Sequence, residues 1–179
     1  MRRLRWLPNA ITVLRILGLP VLAYFVAVDP GPTSIRAGVC FGVIGITDVV
    51  DGNLARLLDA RTRFGRIADP LADRLLLATG LVGLIALGRF SWPGPVIILA
   101  RDVIAVGAFA VLASRGRPLR VDALGKASSA TAMCGTGLAM LTTSIWADAL
   151  FWTAVALCLI SLVHYARTVR PRPRVSAST

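Results

Sequence analysis

Four aspartates near the ends of two apolar stretches are the residues of this chain most suited to chemistry. Asp48 and Asp51 are three positions apart, and Asp69 and Asp73 are four positions apart. Residues three or four positions apart share one face of a helix, so each pair should project in one direction. Carboxylates are costly close to a bilayer. Their grouping therefore predicts a divalent-metal site.

The residue types around these aspartates specify the chemistry further. If the two helices are antiparallel neighbours, all four carboxylates meet and stay ionised only when cations neutralise them. Hard oxygen ligands in this number suit Mg²⁺ or Mn²⁺. Two such ions, about 4 Å apart, would clamp a phosphoryl group during displacement. Small side chains leave room for a bulky group, and an arginine offers a planar fork to a phosphate. The pattern predicts a site for a nucleotide pyrophosphate, with further contributions from Gly52, Ala55, Arg56 and Gly65.

Two other interpretations of the aspartates remain open at this point. They could cap helix ends and pair with nearby arginines, or they could bind a permeant cation in an ion-conducting protein. The second interpretation explains the carboxylates but gives no reason for Gly52, Ala55, Arg56 and Gly65 at these positions.

The composition of the chain is typical of a membrane protein, so we expect helices in a membrane to position these residues. Of 179 residues, 56% are hydrophobic, and the mean hydropathy is +0.73. Lys and Arg outnumber the acidic residues 20 to 9. In a soluble protein this excess would suggest a nucleic-acid partner, but the long apolar runs exclude that reading. The positive charge instead indicates anionic headgroups, phosphorylated substrates and the cytoplasmic side of a membrane.

Six apolar runs recur along the chain, each close to the roughly 20 residues that cross a bilayer. We therefore predict an all-α, polytopic membrane protein with six transmembrane helices. Basic residues collect in segments 2–5, 56–66, 115–120 and 167–174, whereas the opposite side holds only Arg36 and Arg89. This asymmetry places both termini and the aspartates on the cytoplasmic face of the plasma membrane. We expect one membrane domain, residues 1–166, followed by a basic, disordered tail, residues 167–179. The six runs are at about 10–28, 35–55, 69–88, 93–113, 124–144 and 147–166.

The complete pattern from Asp48 to Asp73, D-x2-D-G-x2-A-R-x8-G-x3-D-x3-D, resembles the signature of the CDP-alcohol phosphotransferases. The six-run layout is similar as well. The resemblance implies that Asp48, Asp51, Asp69 and Asp73 bind two divalent ions that grip the pyrophosphate of CDP-diacylglycerol. It also implies that Asp73 acts as the general base on an acceptor hydroxyl, that CMP leaves, and that the protein is a homodimer.

The first apolar run narrows the branch of the family. Segment 8–15, P-N-A-I-T-V-L-R, resembles the opening shared by phosphatidylglycerophosphate synthases and cardiolipin synthases. Asn9, Thr12 and Arg15 recur every three residues, close enough to one helical face to point toward the donor nucleotide. Alternatively, Asn9 and Thr12 serve the first helical turn, and Arg15 reaches the headgroups.

The acceptor is less well specified by the sequence. Arg101, in the middle of an apolar run, either faces the phosphate of the acceptor or forms a structural ion pair with Asp102. Arg120 and Lys126 are further candidates for binding that phosphate. The residues after Lys126 lack the second Lys and the Gln that phosphatidylglycerophosphate synthases often carry.

We therefore expect a phospholipid-synthesising transferase that moves a phosphatidyl group from CDP-diacylglycerol to glycerol 3-phosphate. The alternatives are a cardiolipin synthase that uses phosphatidylglycerol, a divalent-cation transporter, and a non-catalytic relative.

Overall fold

The structure, a computed structural model, describes the backbone of residues 7–29, 31–57, 65–114 and 123–169, and the side chains of 15–29, 31–47, 71–107 and 123–164. Within these residues the fold is all-α, with six helices and no strand. The helices follow the six predicted apolar runs to within a few residues. They are α1 (Leu7–Val28), α2 (Ile35–Leu57), α3 (Gly65–Ala86), α4 (Pro93–Ser114), α5 (Ala123–Leu141) and α6 (Ile145–Val169).

Local sequence signals explain where several helices begin and end. Ser34 precedes α2, and its hydroxyl oxygen accepts a hydrogen bond from the backbone N–H of Ala37 at 3.0 Å. This is the N-cap geometry that satisfies a backbone donor in the first turn. At the end of α3, Gly88 has a φ of 68°. The N–H groups of Gly88 and Arg89 donate to the carbonyls of Ile85 and Leu84. This pattern closes the helix, and it requires a residue that tolerates a left-handed conformation.

Contacts between helix ends show that consecutive helices alternate in direction. The N–H of Ser34, before α2, donates to the carbonyl of Met140, near the end of α5, at 2.9 Å. Arg89, after α3, forms an ion pair with Asp148, in the first turn of α6. One end of the bundle therefore gathers the ends of α1, α3 and α5 with the starts of α2, α4 and α6. We call it the tryptophan end, because Trp92 and Trp146 lie there with exposed side chains.

The opposite end of the bundle, which we call the aspartate end, gathers the starts of α1, α3 and α5 with the ends of α2, α4 and α6. Segments 48–51 and 69–73, which carry the four aspartates, both lie toward it. The two helices that bear the motif, α2 and α3, contact each other. The sequence prediction of antiparallel neighbours is therefore consistent with the backbone.

Small residues allow the helices to approach closely in the core. A Cβ atom at Gly80 of α3 would lie 2.6 Å from Cε2 of Phe41 on α2, and one at Gly135 of α5 would lie 3.1 Å from the Cα of Phe151 on α6. Such contacts are typical of helix packing in membranes, where small residues let backbones come together. The phenyl ring of Phe151 also stacks on Phe90, with 4.1 Å between the ring centroids.

The outer surface of the bundle is rich in large apolar side chains. Val103, Ile46 and Ile35 are among many that are well exposed. Among the described residues, one segment is both long and apolar enough to cross a membrane, Ile145–His164, with a mean hydropathy of 1.9; two shorter apolar segments are Arg15–Val28 and Ile35–Thr47. The last helix, α6, continues to Val169. It therefore includes the first three residues of the predicted tail, and the rest of that tail lies outside the described residues.

Candidate functional site

The structure distributes the signature motif over two helices at the aspartate end. The last part of α2 carries its first five residues, and the first part of α3 carries its last three. Asp73 is the motif residue whose side chain lies within the described part of the chain. The backbone of the other seven motif residues is helical, and Gly65 is the first residue of α3. The motif residues on α2 are Asp48, Asp51, Gly52, Ala55 and Arg56, and those on α3 are Gly65, Asp69 and Asp73.

A direct ion pair links the entry segment to the motif. Nη1 of Arg15, on α1, donates a hydrogen bond to Oδ1 of Asp73, on α3, at 2.8 Å. The Arg15 side chain is only 3% exposed, whereas that of Asp73 is 40% exposed. A charge-assisted hydrogen bond of this kind is stronger than a neutral one, and it fixes the direction of the carboxylate. The structure thus brings Arg15 to the site, while the side chains of Asn9 and Thr12, on the same helix, lie outside the described residues.

A second group of charges connects α3 to α4, and it includes Arg74, the residue after Asp73. Oδ1 of Asp102, on α4, is 2.9 Å from Nη1 of Arg74 and 2.7 Å from Nη1 of Arg101. The contact with Arg101 is a hydrogen bond. The contact with Arg74 is an ion pair without hydrogen-bond geometry. Asp102 is therefore the shared counter-ion of two arginines. Its side chain is only 9% exposed, so this pairing is largely shielded from water.

Arg101 uses both terminal nitrogens of its guanidinium group on the protein itself. Besides Asp102, its Nη1 donates to the hydroxyl of Ser129 at 2.9 Å. Its Nη2 donates to the carbonyl of Gly125 at 2.9 Å and to the hydroxyl of Ser128 at 2.8 Å. Four acceptors match the four N–H bonds of these two nitrogens. Of the two roles that the sequence left open for Arg101, this geometry favours the structural ion pair over contact with an acceptor phosphate.

Together these residues form what we call the polar layer, which crosses the bundle near the aspartate end. It contains three arginines and two aspartates, and it joins α1 to α3, α3 to α4 and α4 to α5. Pairing of this kind is what allows charges to lie inside a membrane protein. The members of the polar layer are Arg15, Asp73, Arg74, Arg101, Asp102, Gly125, Ser128 and Ser129.

Sequence reasoning missed Arg74, Ser128 and Ser129 as members of this layer. A signal for Arg74 was present, because it directly follows Asp73 in a stretch that is otherwise apolar, where any charge needs a partner. The serines stood out only as a departure from the segment common in phosphatidylglycerophosphate synthases. In the structure they are hydrogen-bond acceptors for Arg101.

The candidate residues for the acceptor phosphate are only partly within the described residues. Lys126 is exposed in the first turn of α5 and follows Gly125, whose carbonyl accepts the bond from Arg101. Arg120 lies outside the described residues. Lys126 therefore lies close to the polar layer along the chain without being part of it.

The donor groups of the motif fit a divalent metal. No cluster of three or more His, Cys, Asp or Glu side chains occurs within the part of the chain that the structure describes, which includes one motif aspartate. The Asp73 carboxylate is partly exposed, and it lies toward the end of the bundle to which α2 carries the first two motif aspartates. Oxygen ligands of this type suit Mg²⁺ or Mn²⁺.

Six alternating helices, an outer surface rich in apolar side chains and a charged layer beside a carboxylate motif define an all-α bundle with a polar site toward one end. The sequence profile of the CDP-alcohol phosphatidyltransferase family matches residues 5–160, and the chain belongs to this family. Its relatives include proteins named CDP-diacylglycerol–glycerol-3-phosphate 3-phosphatidyltransferase from Escherichia coli K12, Escherichia coli O157:H7 and Shigella flexneri serotype 5b. Each is 31% identical over 176 residues, which cover 92% of this chain and 94% of the relative.

Proposed function

We propose that this protein is an enzyme of phospholipid biosynthesis that transfers the phosphatidyl group of CDP-diacylglycerol to the hydroxyl of glycerol 3-phosphate and releases CMP. The observation that carries the proposal is the carboxylate of Asp73, on α3, which lies 2.8 Å from Nη1 of Arg15, on α1. Asp73 is one of the three signature residues that α3 carries, and the other five are on α2. The names of the relatives support glycerol 3-phosphate as the acceptor.

In this proposal the four aspartates hold two divalent ions, Mg²⁺ or Mn²⁺, which would supply positive charge to the pyrophosphate of the donor. Gly52, Ala55 and Gly65 leave room for the nucleotide to approach the helices. Arg56 contributes its guanidinium to a phosphate. Thr12 and Asn9, about one and two helical turns before Arg15, extend the donor site along α1.

Asp73 acts as the general base. It takes the proton from the acceptor hydroxyl as that oxygen forms a bond to the phosphorus that carries diacylglycerol, and the bond from this phosphorus to CMP breaks. Arg15 orients the Asp73 carboxylate for this step. Lys126 and Arg120 receive the phosphate of glycerol 3-phosphate. Arg101 acts indirectly, because its bonds to α4 and α5 keep the surrounding helices in register.

We further propose that all six helices span the plasma membrane, with both termini and the aspartate end on the cytoplasmic side. The exposed tryptophans at the other end agree with a membrane interface there, because tryptophan favours both interfaces, and the basic segments of the sequence support the cytoplasmic side for the aspartate end. Residues 1–166 form the membrane domain, the basic residues after 166 lie against anionic lipid, and two copies of the chain form a homodimer.

The test is CMP release from CDP-diacylglycerol by the purified protein with Mg²⁺ or Mn²⁺. Glycerol 3-phosphate and phosphatidylglycerol would be supplied in parallel, because the segment after Lys126 departs from the phosphatidylglycerophosphate synthase pattern. We expect release that depends on glycerol 3-phosphate. Release that depends only on phosphatidylglycerol would identify a cardiolipin synthase, and absence of release with either acceptor would contradict the proposed function.

The matched pair of variants is Asp73→Asn and Asp148→Asn. Each removes the charge of an aspartate that is paired with an arginine, but Asp148 lies at the tryptophan end. Loss of a general base lowers turnover by about 10²–10⁴-fold. We expect this loss for Asp73→Asn alone. Equal activity of the two variants would contradict the role of Asp73.

A further inference from the structure

Arg74 is a charged residue of the polar layer that has no role in the mechanism described so far. It directly follows Asp73 in α3, and its Nη1 lies 2.9 Å from Oδ1 of Asp102. Within the described part of the chain, this Nη1 is buried without a hydrogen-bond partner. A guanidinium group has five N–H donors in a planar fork, and one ion pair leaves most of them for another anion.

The charges of the polar layer do not cancel. Its three arginines face two aspartates, so one positive charge remains over the members of this layer. Arg15 donates to Asp73, and Arg101 donates to Asp102, both with hydrogen-bond geometry. Arg74 is the third cation, and it shares Asp102 with Arg101. Because charges within a membrane protein need partners of opposite sign, the layer is suited to hold one more anion beside Arg74.

Arg74 is also the arginine of the layer that water reaches most readily. Its side chain is 32% exposed, whereas that of Arg101 is 6% exposed and that of Arg15 is 3% exposed. Both terminal nitrogens of Arg101 donate to acceptors on α4 and α5. A water-soluble anion that enters the aspartate end therefore finds free donors on Arg74 and none on the terminal nitrogens of Arg101.

The position of Arg74 suits an acceptor that reacts at Asp73. Consecutive residues of a helix lie about 100° apart around the axis and about 1.5 Å apart along it. The Asp73 side chain contacts α1 and the Arg74 side chain contacts α4, so the two diverge from neighbouring positions of α3. A small molecule between them would meet a carboxylate at one end and a guanidinium at the other. Glycerol 3-phosphate has the matching form, with a hydroxyl at one end and a phosphate at the other.

A second cation borders the same group of charges. Lys126 is exposed in the first turn of α5 and follows Gly125, whose carbonyl accepts a hydrogen bond from Arg101. Arg101 and Arg74 share Asp102. Exposed cations on α3 and α5 therefore border one connected cluster. A phosphomonoester, with a charge of about −1.5 to −2 near pH 7, suits two cations better than a phosphodiester with its single charge.

We propose that Arg74 binds the phosphate of glycerol 3-phosphate and thereby selects an acceptor with a terminal phosphomonoester. This inference rests on the proposed function, because it takes Asp73 as the general base and glycerol 3-phosphate as the acceptor. Arg74 keeps Asp102 beside Nη1 and offers its remaining N–H groups to phosphate oxygens, as arginine forks do. Phosphatidylglycerol, whose phosphate is a diester with one charge, gains less from this contact.

The experiment separates binding of the acceptor from binding of the donor. CMP release from CDP-diacylglycerol would be measured for wild type, Arg74→Gln and Arg74→Lys, with glycerol 3-phosphate and with phosphatidylglycerol. Asp102 keeps its hydrogen bond from Arg101 in both variants, so the fold should persist. The control is Arg89→Gln, which also removes an arginine paired with an aspartate but lies at the tryptophan end.

We expect Arg74→Gln to raise KM for glycerol 3-phosphate about 10–100-fold, the effect of losing hydrogen bonds to a charged group. The kcat value and KM for the donor should stay within about threefold of wild type, since the variant removes binding of the acceptor alone. Arg74→Lys should recover part of the loss, because lysine keeps the charge without the planar fork. Arg89→Gln should leave all three values close to those of wild type.

A wild-type KM for glycerol 3-phosphate in Arg74→Gln would overturn the inference and leave the proposed function standing. A fall in kcat with equal rises of KM for donor and acceptor would also overturn it, because that result indicates displaced helices. Wild-type protein that releases CMP only with phosphatidylglycerol, or with neither acceptor, would refute the proposed acceptor and the role of Arg74 with it.

A second measurement uses the unmodified chain. Phenylglyoxal modifies accessible guanidinium groups, and mass spectrometry of the digested protein identifies the modified arginines. Arg74 should react in the free protein and be protected by glycerol 3-phosphate but not by glycerol, which lacks the phosphate. Arg36, 69% exposed on α2, is the internal control and should react equally in all samples. Equal modification of Arg74 in all samples, or none in any, would overturn the inference.

Discussion

Removing the charge of Asp102 should destabilise the protein strongly, because this carboxylate is the shared partner of two arginines. Nη1 of Arg101 lies 2.7 Å from its Oδ1, and Nη1 of Arg74 lies 2.9 Å from the same oxygen. Asp102→Asn keeps the size of the side chain but leaves two cations without an anion in a layer that is largely buried. Removing one partner of a buried ion pair costs about 3–5 kcal/mol.

For a chain of this size, each kcal/mol shifts Tm by roughly 2–4 °C, so the expected loss is about 6–20 °C. The assay is the fraction of protein that remains monodisperse in detergent after heating, measured by size-exclusion chromatography over a temperature series. The control is Asp148→Asn. The Asp148 side chain is 36% exposed and its partner Arg89 is 11% exposed. Because water reaches Asp148 more readily than Asp102, which is 9% exposed, Asp148→Asn should cost less stability than Asp102→Asn.

A double variant makes the reasoning refutable. Arg74→Gln combined with Asp102→Asn removes one of the two uncompensated cations, so it should be more stable than Asp102→Asn alone. The coupling between the two sites should be about 0.5–3 kcal/mol. Strict additivity of the two changes, or a loss in Asp102→Asn no larger than in Asp148→Asn, would refute the account of the shared counter-ion.

Three further outcomes are expected. Arg15→Gln should lower kcat/KM about 10–100-fold, since it removes a charge-assisted hydrogen bond to Asp73, and Arg15→Lys should recover part of the loss; wild-type kinetics for Arg15→Gln would contradict this. Gly80→Ala should cost about 1–3 kcal/mol of stability, because the added Cβ would meet Phe41. Gly42 has open space around it, so Gly42→Ala should leave the stability unchanged. Equal Tm values for the two variants would contradict the packing argument. EDTA should stop CMP release and Mg²⁺ or Mn²⁺ should restore it; activity that is indifferent to chelation would refute the metal proposal.

The helices could be predicted from the sequence because apolar runs and breaking residues are local signals. Asp29-Pro30-Gly31 ends the first run, and Trp92-Pro93-Gly94 opens the fourth; α1 ends at Val28 and α4 begins at Pro93. The short gap before residue 145 was a weaker signal, yet α5 ends at Leu141 and α6 begins at Ile145. The relative depths of the helices could not be predicted, since they depend on contacts between distant segments.

For the site as well, features set by nearby residues could be predicted from the sequence, and contacts between distant segments could not. The spacing of the motif predicted which aspartates share a face, and the three-residue repeat of segment 9–15 directed Arg15 toward the site, where it contacts Asp73. No local pattern shows that Arg101 lies level with Gly125, because that depends on how α4 packs against α5. The choice between ligand contact and ion pair for Arg101 therefore required the structure.

The ion pair between Arg15 and Asp73 also has a consequence for how the chain enters the membrane. Its partners are 58 residues apart, and at a synthesis rate of about 5–20 residues per second Arg15 is made roughly 3–12 s before Asp73. During that interval an arginine in a nascent span costs about 2.5–3.5 kcal/mol at the membrane centre. In the proposed topology, we therefore expect Arg15 to stay near the headgroups until α3 has been made. The ion pair with Asp73 can form only then, so the placement of α1 depends on α3.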